Sequence, residues 1–148
     1  MTTPLRRRAA AAAAGTALLV LTSCSAPAAP LPPSPVVVTV TMTEYHFELP
    51  ATLPRGRVVF RVVNAGHKSH KLSLAPLPKD FPPVMKQLRS SERRTLDTVA
   101  AIVPQAPGAE TSFAVDLGPQ RYGVFCFIIE PEGKDHARSG MAAEFRVD

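Results

Sequence analysis

Four side chains have the types and the order to hold one soft metal ion: His70, Cys126, His136 and Met141. His70 opens an alternating apolar stretch just after a glycine-containing turn. Cys126 lies late in a run of β-branched and aromatic residues, and His136 and Met141 follow in the next loop and at the start of the final stretch. Two imidazoles, a thiolate and a thioether form an asymmetric donor set suited to copper, with the histidines and cysteine in a trigonal plane and the methionine as a weak axial donor. Such a thiolate needs shelter from water, which a buried strand end provides. Each residue also has a plainer reading: a strand-end histidine, a small buried apolar cysteine, a core-filling methionine. Their sequence along one chain is what argues for a shared site. His67 competes with His70 for the first position, but His70 begins the alternating stretch, so His67 is expected to face solvent and His46 to be an ordinary surface or core residue.

The cysteine count sharpens this. The chain has only Cys24 and Cys126. Ahead of Cys24 stand Arg6, Arg7 and Arg8 and then an uncharged stretch, Ala9 to Thr22, of 22 − 8 = 14 residues, shorter than the roughly 20 that cross a bilayer as a helix. A basic head, an apolar run and small residues before a cut are the layout of an export signal. Leu21-Thr22-Ser23-Cys24 resembles the bacterial lipobox, which implies cleavage before Cys24 and a lipid on its thiol. The arginines also allow twin-arginine export, although the residues that usually follow them are missing. A lipidated Cys24 leaves Cys126 without a partner in an oxidising compartment, where a bare thiol is vulnerable unless buried or bound.

The elements that must position these residues follow from pattern. Residues 1–23 read as the leader and 24–35, rich in proline and alanine, as a stiff tether without a core. The remaining domain, 36–148, reads as all-β. Val36 to Met42 is β-branched and partly alternating, Tyr45 to Leu49 alternates, Arg57 to Asn64 ends at the Asn64-Ala65-Gly66 turn, and His70 to Leu74 alternates after it. Ala75 to Gln105 reads as a peripheral insertion with one or two short helices, from Val84 to Leu88 and from the helical spacing of Leu96, Val99, Ala100 and Val103. Strands resume at Thr111 to Val115, Tyr122 to Ile128 and Met141 to Val147. Six or seven short strands with one helical excursion predict a β-sandwich.

These motifs together resemble the cupredoxins, the blue-copper family, with their Greek-key β-sandwich. The resemblance lies in the Asn64-Ala65-Gly66 turn leading to His70, the Tyr122 to Cys126 strand, the His136 to Gly140-Met141 closing loop and the terminal Glu144-Phe145-Arg146-Val147. It implies His70, Cys126 and His136 as equatorial ligands of one copper cycling between Cu(I) and Cu(II), Met141 as the axial ligand, and Asn64 as a brace for the ligand loops. One departure stands out. Electron carriers of this family usually keep the cysteine and second histidine a few residues apart, whereas Phe127 to Asp135 intervene here. So long a loop is expected to lose pre-organisation and to bring Glu130, Glu132 and Asp135 near the site.

The charge excludes other classes. Without the three leader arginines, 17 − 3 = 14 basic residues face 12 acidic ones, so the excess is +2 and nucleic-acid binding has no electrostatic support. No phosphate loop, zinc-type cysteine pairs or nucleophile elbow occurs, and the His-x-His motifs of multicopper oxidases are missing, so no enzyme is expected. The expected protein is a monomer held by lipid at the outer face of a bacterial cell membrane. There it passes single electrons to a redox partner or delivers copper to another protein, the long loop tilting the choice towards copper handling. The alternative is a metal-free β-sandwich lipoprotein that binds a partner through its 75–105 insertion.

Overall fold

The computed structural model describes residues 34–148. The leader, Cys24 and nearly all of the tether lie outside the described residues. The strands are β1 (Val36–Thr43), β2 (His46–Glu48), β3 (Thr52–Leu53), β4 (Gly56–Asn64), β5 (Ser73–Leu77), β6 (Ala100–Ala101), β7 (Glu110–Leu117), β8 (Arg121–Phe125) and β9 (Ala142–Val147), with one helix, α1 (Val84–Arg89), among the described residues. They form two sheets, β2-β1-β4-β7 and β3-β9-β8-β5-β6. β1 with β4 and β3 with β9 run parallel; every other pair is antiparallel.

The period of two decides what faces inward. Val38, Val40 and Met42 of β1 and Val58, Phe60, Val62 and Asn64 of β4 share one face, against Leu74, Tyr122, Val124 and Phe145 of the other sheet. Cys126 has the same parity as Tyr122 and Val124, so the alternation that builds the core also turns its sulfur inward. The opposite parity of the second sheet is covered too. Phe125, Ala75 and Leu77 pack there with Phe81 and with Val84 and Leu88 of α1, the buried side of its single long turn. The insertion thus caps the outer face of the sheet that carries Cys126.

Two expected elements differ. The stretch after the Asn64 turn enters the sheet at Ser73, three residues later than expected, and continues to Leu77. His70 makes only an isolated bridge to Gln105. Pro76 is accommodated because β6 pairs only with Ser73 and Leu74, which leaves that flank of β5 free at the proline. The helical spacing of Leu96 to Val103 gives no helix: Val99 N–H bonds to Leu74 O, Ile102 N–H bonds to Leu72 O, and Ala100–Ala101 forms β6. With Val99 and Val103 at 50% and 74% exposure, no apolar helical face exists to be buried there, and edge pairing wins.

Candidate metal centre

The structure brings His70, Cys126 and His136 together at one end of the sandwich, one potential donor atom from each lying within 4.8 Å of the others. All three residues are fully buried. The two Nδ1 atoms face each other at 3.2 Å, and Cys126 Sγ lies 3.5 Å from His136 Nδ1. Met141 is equally buried, packs in the same core cluster as Cys126 and is tied to both neighbours through its backbone: its N–H bonds to His136 O, and its carbonyl accepts from Cys126 N–H. His67 and His46 are exposed, as expected.

Each donor is held by a different element. Cys126 follows β8, and its sulfur accepts the Lys71 N–H at 3.4 Å. His70 is clamped by reciprocal backbone bonds with Gln105, 3.1 and 2.7 Å. Asn64, fully buried at the end of β4, braces that clamp: its Nδ2 donates to Lys68 O and Gln105 O, both at 2.8 Å, and its Oδ1 accepts from Gly66 N–H at 3.0 Å. The segment between Cys126 and His136 is ordered by its own bonds, contrary to the expectation from its length. His136 N–H bonds to Ile128 O and Glu130 N–H to Lys134 O, with a turn closed by Gly133 N–H on Glu130 O at Gly133 φ 83°. Asp135 then caps the next turn, accepting Arg138 N–H on its carboxylate. Of the three acidic residues of this loop, only Glu130 makes a side-chain contact with the cluster. Asp135 serves its own turn, and Glu132 is exposed.

The outward nitrogens carry information that sequence reasoning missed. His70 Nε2 lies 3.2 Å from Glu44 Oε1, and His136 Nε2 lies 3.0 Å from Glu130 Oε1. Glu44 also accepts the His67 and Lys68 N–H groups at 2.7 Å each. Burial pushes its carboxyl up, but those two amides and the His70 ring outweigh it, and its pKa falls to about 2. Glu130 accepts from Lys68 Nζ at 2.8 Å and Tyr45 Oη at 2.7 Å, and Lys68 first, then Tyr45, holds its pKa down at about 2. Both groups are therefore acceptors, and each imidazole donates at Nε2. Tyr45 packs edge-on against His136, ring centroids 4.9 Å apart, with Lys134 Nζ 4.0 Å from the Tyr45 centroid. Nothing in the periodicity around Thr43-Glu44-Tyr45 marks Glu44 as a site residue.

Burial lowers the His70 pKa, against the pull of Glu44, so that ring is neutral. Burial also raises the Cys126 thiol, against the amides of Lys71 and Ile128. A neutral imidazole has one N–H, and His70 directs it as a hydrogen bond to Glu44. The His70 Nδ1 lone pair then faces His136 Nδ1 at 3.2 Å beside the Cys126 sulfur, a buried set of donors that a bound cation would satisfy. Two imidazoles and one sulfur, with a thioether nearby, fit copper in particular.

No family model and no curated protein sequence matches the chain. Solved structures do. Reduced auracyanin from the photosynthetic bacterium Roseiflexus castenholzii superposes with a TM-score of 0.54 at 17% identity, over 78% of this chain and 98% of that one. Rusticyanin from Thiobacillus ferrooxidans gives 0.53 at 18%, over 78% and 79%. Auracyanin A, a "blue" copper protein from Chloroflexus aurantiacus, gives 0.54 at 14%, over 78% and 100%. Auracyanin and rusticyanin are cupredoxins, and the chain has the cupredoxin fold.

Proposed function

We propose that this protein binds one copper ion, that His70 Nδ1, Cys126 Sγ and His136 Nδ1 would hold it with the Met141 thioether as a weaker fourth donor, and that it carries single electrons. When bound, copper supplies a one-electron couple between Cu(I) and Cu(II). The chain's own residues hold the donors ready: Asn64 and Gln105 fix the His70 backbone, the hairpin after Ile128 fixes His136, and the apolar core excludes water from the thiolate. The observation that carries this reading is the meeting of both Nδ1 atoms, 3.2 Å apart, with Cys126 Sγ 3.5 Å from the His136 one, while both Nε2 atoms face carboxylates. An arrangement so tied down favours electron transfer over delivery, because a cargo ion must leave and donors locked on both sides resist opening. A metal-free interaction module has no comparable support, since it gives no role to the buried convergence of two imidazoles and a thiol.

The anchoring is proposed on sequence grounds. The leader, the lipobox-like Leu21-Thr22-Ser23-Cys24 and the Pro-rich tether support a lipid on Cys24 and a place outside the cytoplasmic membrane, where a protein redox partner would dock.

The test is metal stoichiometry and a visible spectrum on the purified protein after Cu(II) addition. One copper per chain and an intense visible band from the thiolate are expected, and Cys126→Ser should abolish the band. A chain that takes up no copper, or a band that survives the serine substitution, refutes the reading.

A further inference from the structure

We propose that Glu44 and Glu130 are positioning residues for the metal: each accepts the Nε2 proton of one imidazole, turns that ring's Nδ1 inward, and sets an anion behind it so that the site favours divalent over monovalent copper. This deepens the copper reading and rests on it. Histidine ligands gain basicity and a fixed orientation when their distal N–H meets a carboxylate, and losing such a partner costs roughly 10–100-fold in metal affinity.

The two carboxylates come from unrelated parts of the chain. Glu44 stands at the turn after β1, and Glu130 in the hairpin between Cys126 and His136. Each sits in a prepared place. Around Glu44, the His67 and Lys68 amides converge on Oε1 at 2.7 Å, and a Cβ at Gly66 would come within 2.6 Å of that same oxygen. The glycine of the Asn64-Ala65-Gly66 turn therefore makes room for the carboxylate. Around Glu130, Tyr45 Oη and Lys68 Nζ hold the side chain over His136 at 14% exposure.

The two differ in electrostatics. Glu130 is paired with the Lys68 ammonium, at 2.8 and 2.9 Å, which offsets its field at the metal. Glu44 has only amides and the His70 ring as partners, so its charge reaches the site unpaired. Glu44 is accordingly the stronger of the two in setting the oxidation-state preference, and Glu130 acts mainly by holding the His136 ring.

Two measurements on the full chain test this. In the metal-free protein, long-range 15N NMR should find both histidines in the Nε2–H tautomer. Glu44→Ala should mix the tautomers of His70 alone, and Glu130→Ala those of His136 alone. In the copper-loaded protein, Glu44→Ala should weaken Cu(II) binding by about 10–100-fold, and Cu(I) binding by less. The reduction potential should then rise by about 59 mV for each factor of ten by which the Cu(II) loss exceeds the Cu(I) loss. Glu44→Gln keeps an acceptor oxygen and the fold, so it should retain the His70 tautomer and still show most of the rise. Unchanged tautomers in both alanine variants, or a potential that does not move in either Glu44 variant, overturn the proposal. A wild-type protein that binds no copper refutes the copper reading, and the tautomers then still decide the positioning role.

Discussion

Replacing Gly66 by alanine should disable Glu44 without touching it. Gly66 is outside the left-handed region, so alanine meets no backbone strain there. The obstacle is the carboxylate: an added Cβ would lie 2.6 Å from Glu44 Oε1, 2.9 Å from Oε2 and 3.0 Å from Cδ. Glu44 ends a flexible side chain and can withdraw, but withdrawal breaks its bonds from His67 N–H, Lys68 N–H and His70 Nε2. Hydrogen bonds to charged groups contribute about 1.5–3 kcal/mol each. His67 and Lys68 are exposed and water replaces part of what they lose, so about 1 kcal/mol per bond is the better figure, or about 2–3 kcal/mol in all. Urea midpoints of Gly66→Ala, Glu44→Ala and the double variant read this directly. If the clash with the carboxylate is the whole effect, the glycine substitution costs almost nothing once Glu44 is gone, and the two sites couple by about 2 kcal/mol. Additive losses would refute the reasoning and mean that Gly66 serves the turn for another reason.

Asn64→Ala should destabilise by about 2–4 kcal/mol, because it strips partners from the Lys68 and Gln105 carbonyls and the Gly66 amide in a buried place. Hydrogen exchange should show the His70 and Gln105 amides losing protection first. Acid should also loosen the site. Glu44 and Glu130 have folded pKa values of about 2 against an ordinary 4.5, so their stabilisation is complete above 4.5 and lost as pH falls towards 2. The thermal midpoint of the metal-free protein should fall across that window, and fall less in a Glu44→Gln, Glu130→Gln variant. Equal acid sensitivity in the two proteins would contradict the assigned hydrogen bonds.

The residues that converge were legible because their signals are local. Parity along β8 turns Cys126 inward with Tyr122 and Val124, and the Asn64-Ala65-Gly66 turn announces the approach to His70. Glu44 carried no such signal: its role exists only because two loops distant in sequence meet over His70. The stretch from Leu96 to Val103 misled for a related reason. Its apolar spacing suits a helix, but a helix needs a face to bury, and the free edge of β5 offered backbone partners instead. The late start of β5 has the same origin, since His70 is held by Gln105 across the loop and not by the sheet.

The length of the segment from Cys126 to His136 argues differently once its hydrogen bonds are known. Each doubling of a loop adds only about 0.6 kcal/mol of closure entropy. Stretching a loop of a few residues to this one therefore costs about 1 kcal/mol. The bonds from His136 N–H to Ile128 O, Glu130 N–H to Lys134 O and Gly133 N–H to Glu130 O contribute about 0.5–1.5 kcal/mol each, which offsets that cost. Length by itself thus gives no ground for a loose site. What the extra residues add is reach: they fold back as a hairpin and lay Glu130 against His136 Nε2, between Tyr45 and Lys68. A ligand loop of only a few residues has no room for such a hairpin. The departure from the usual spacing therefore reads as the means by which this chain supplies the carboxylate behind its second imidazole.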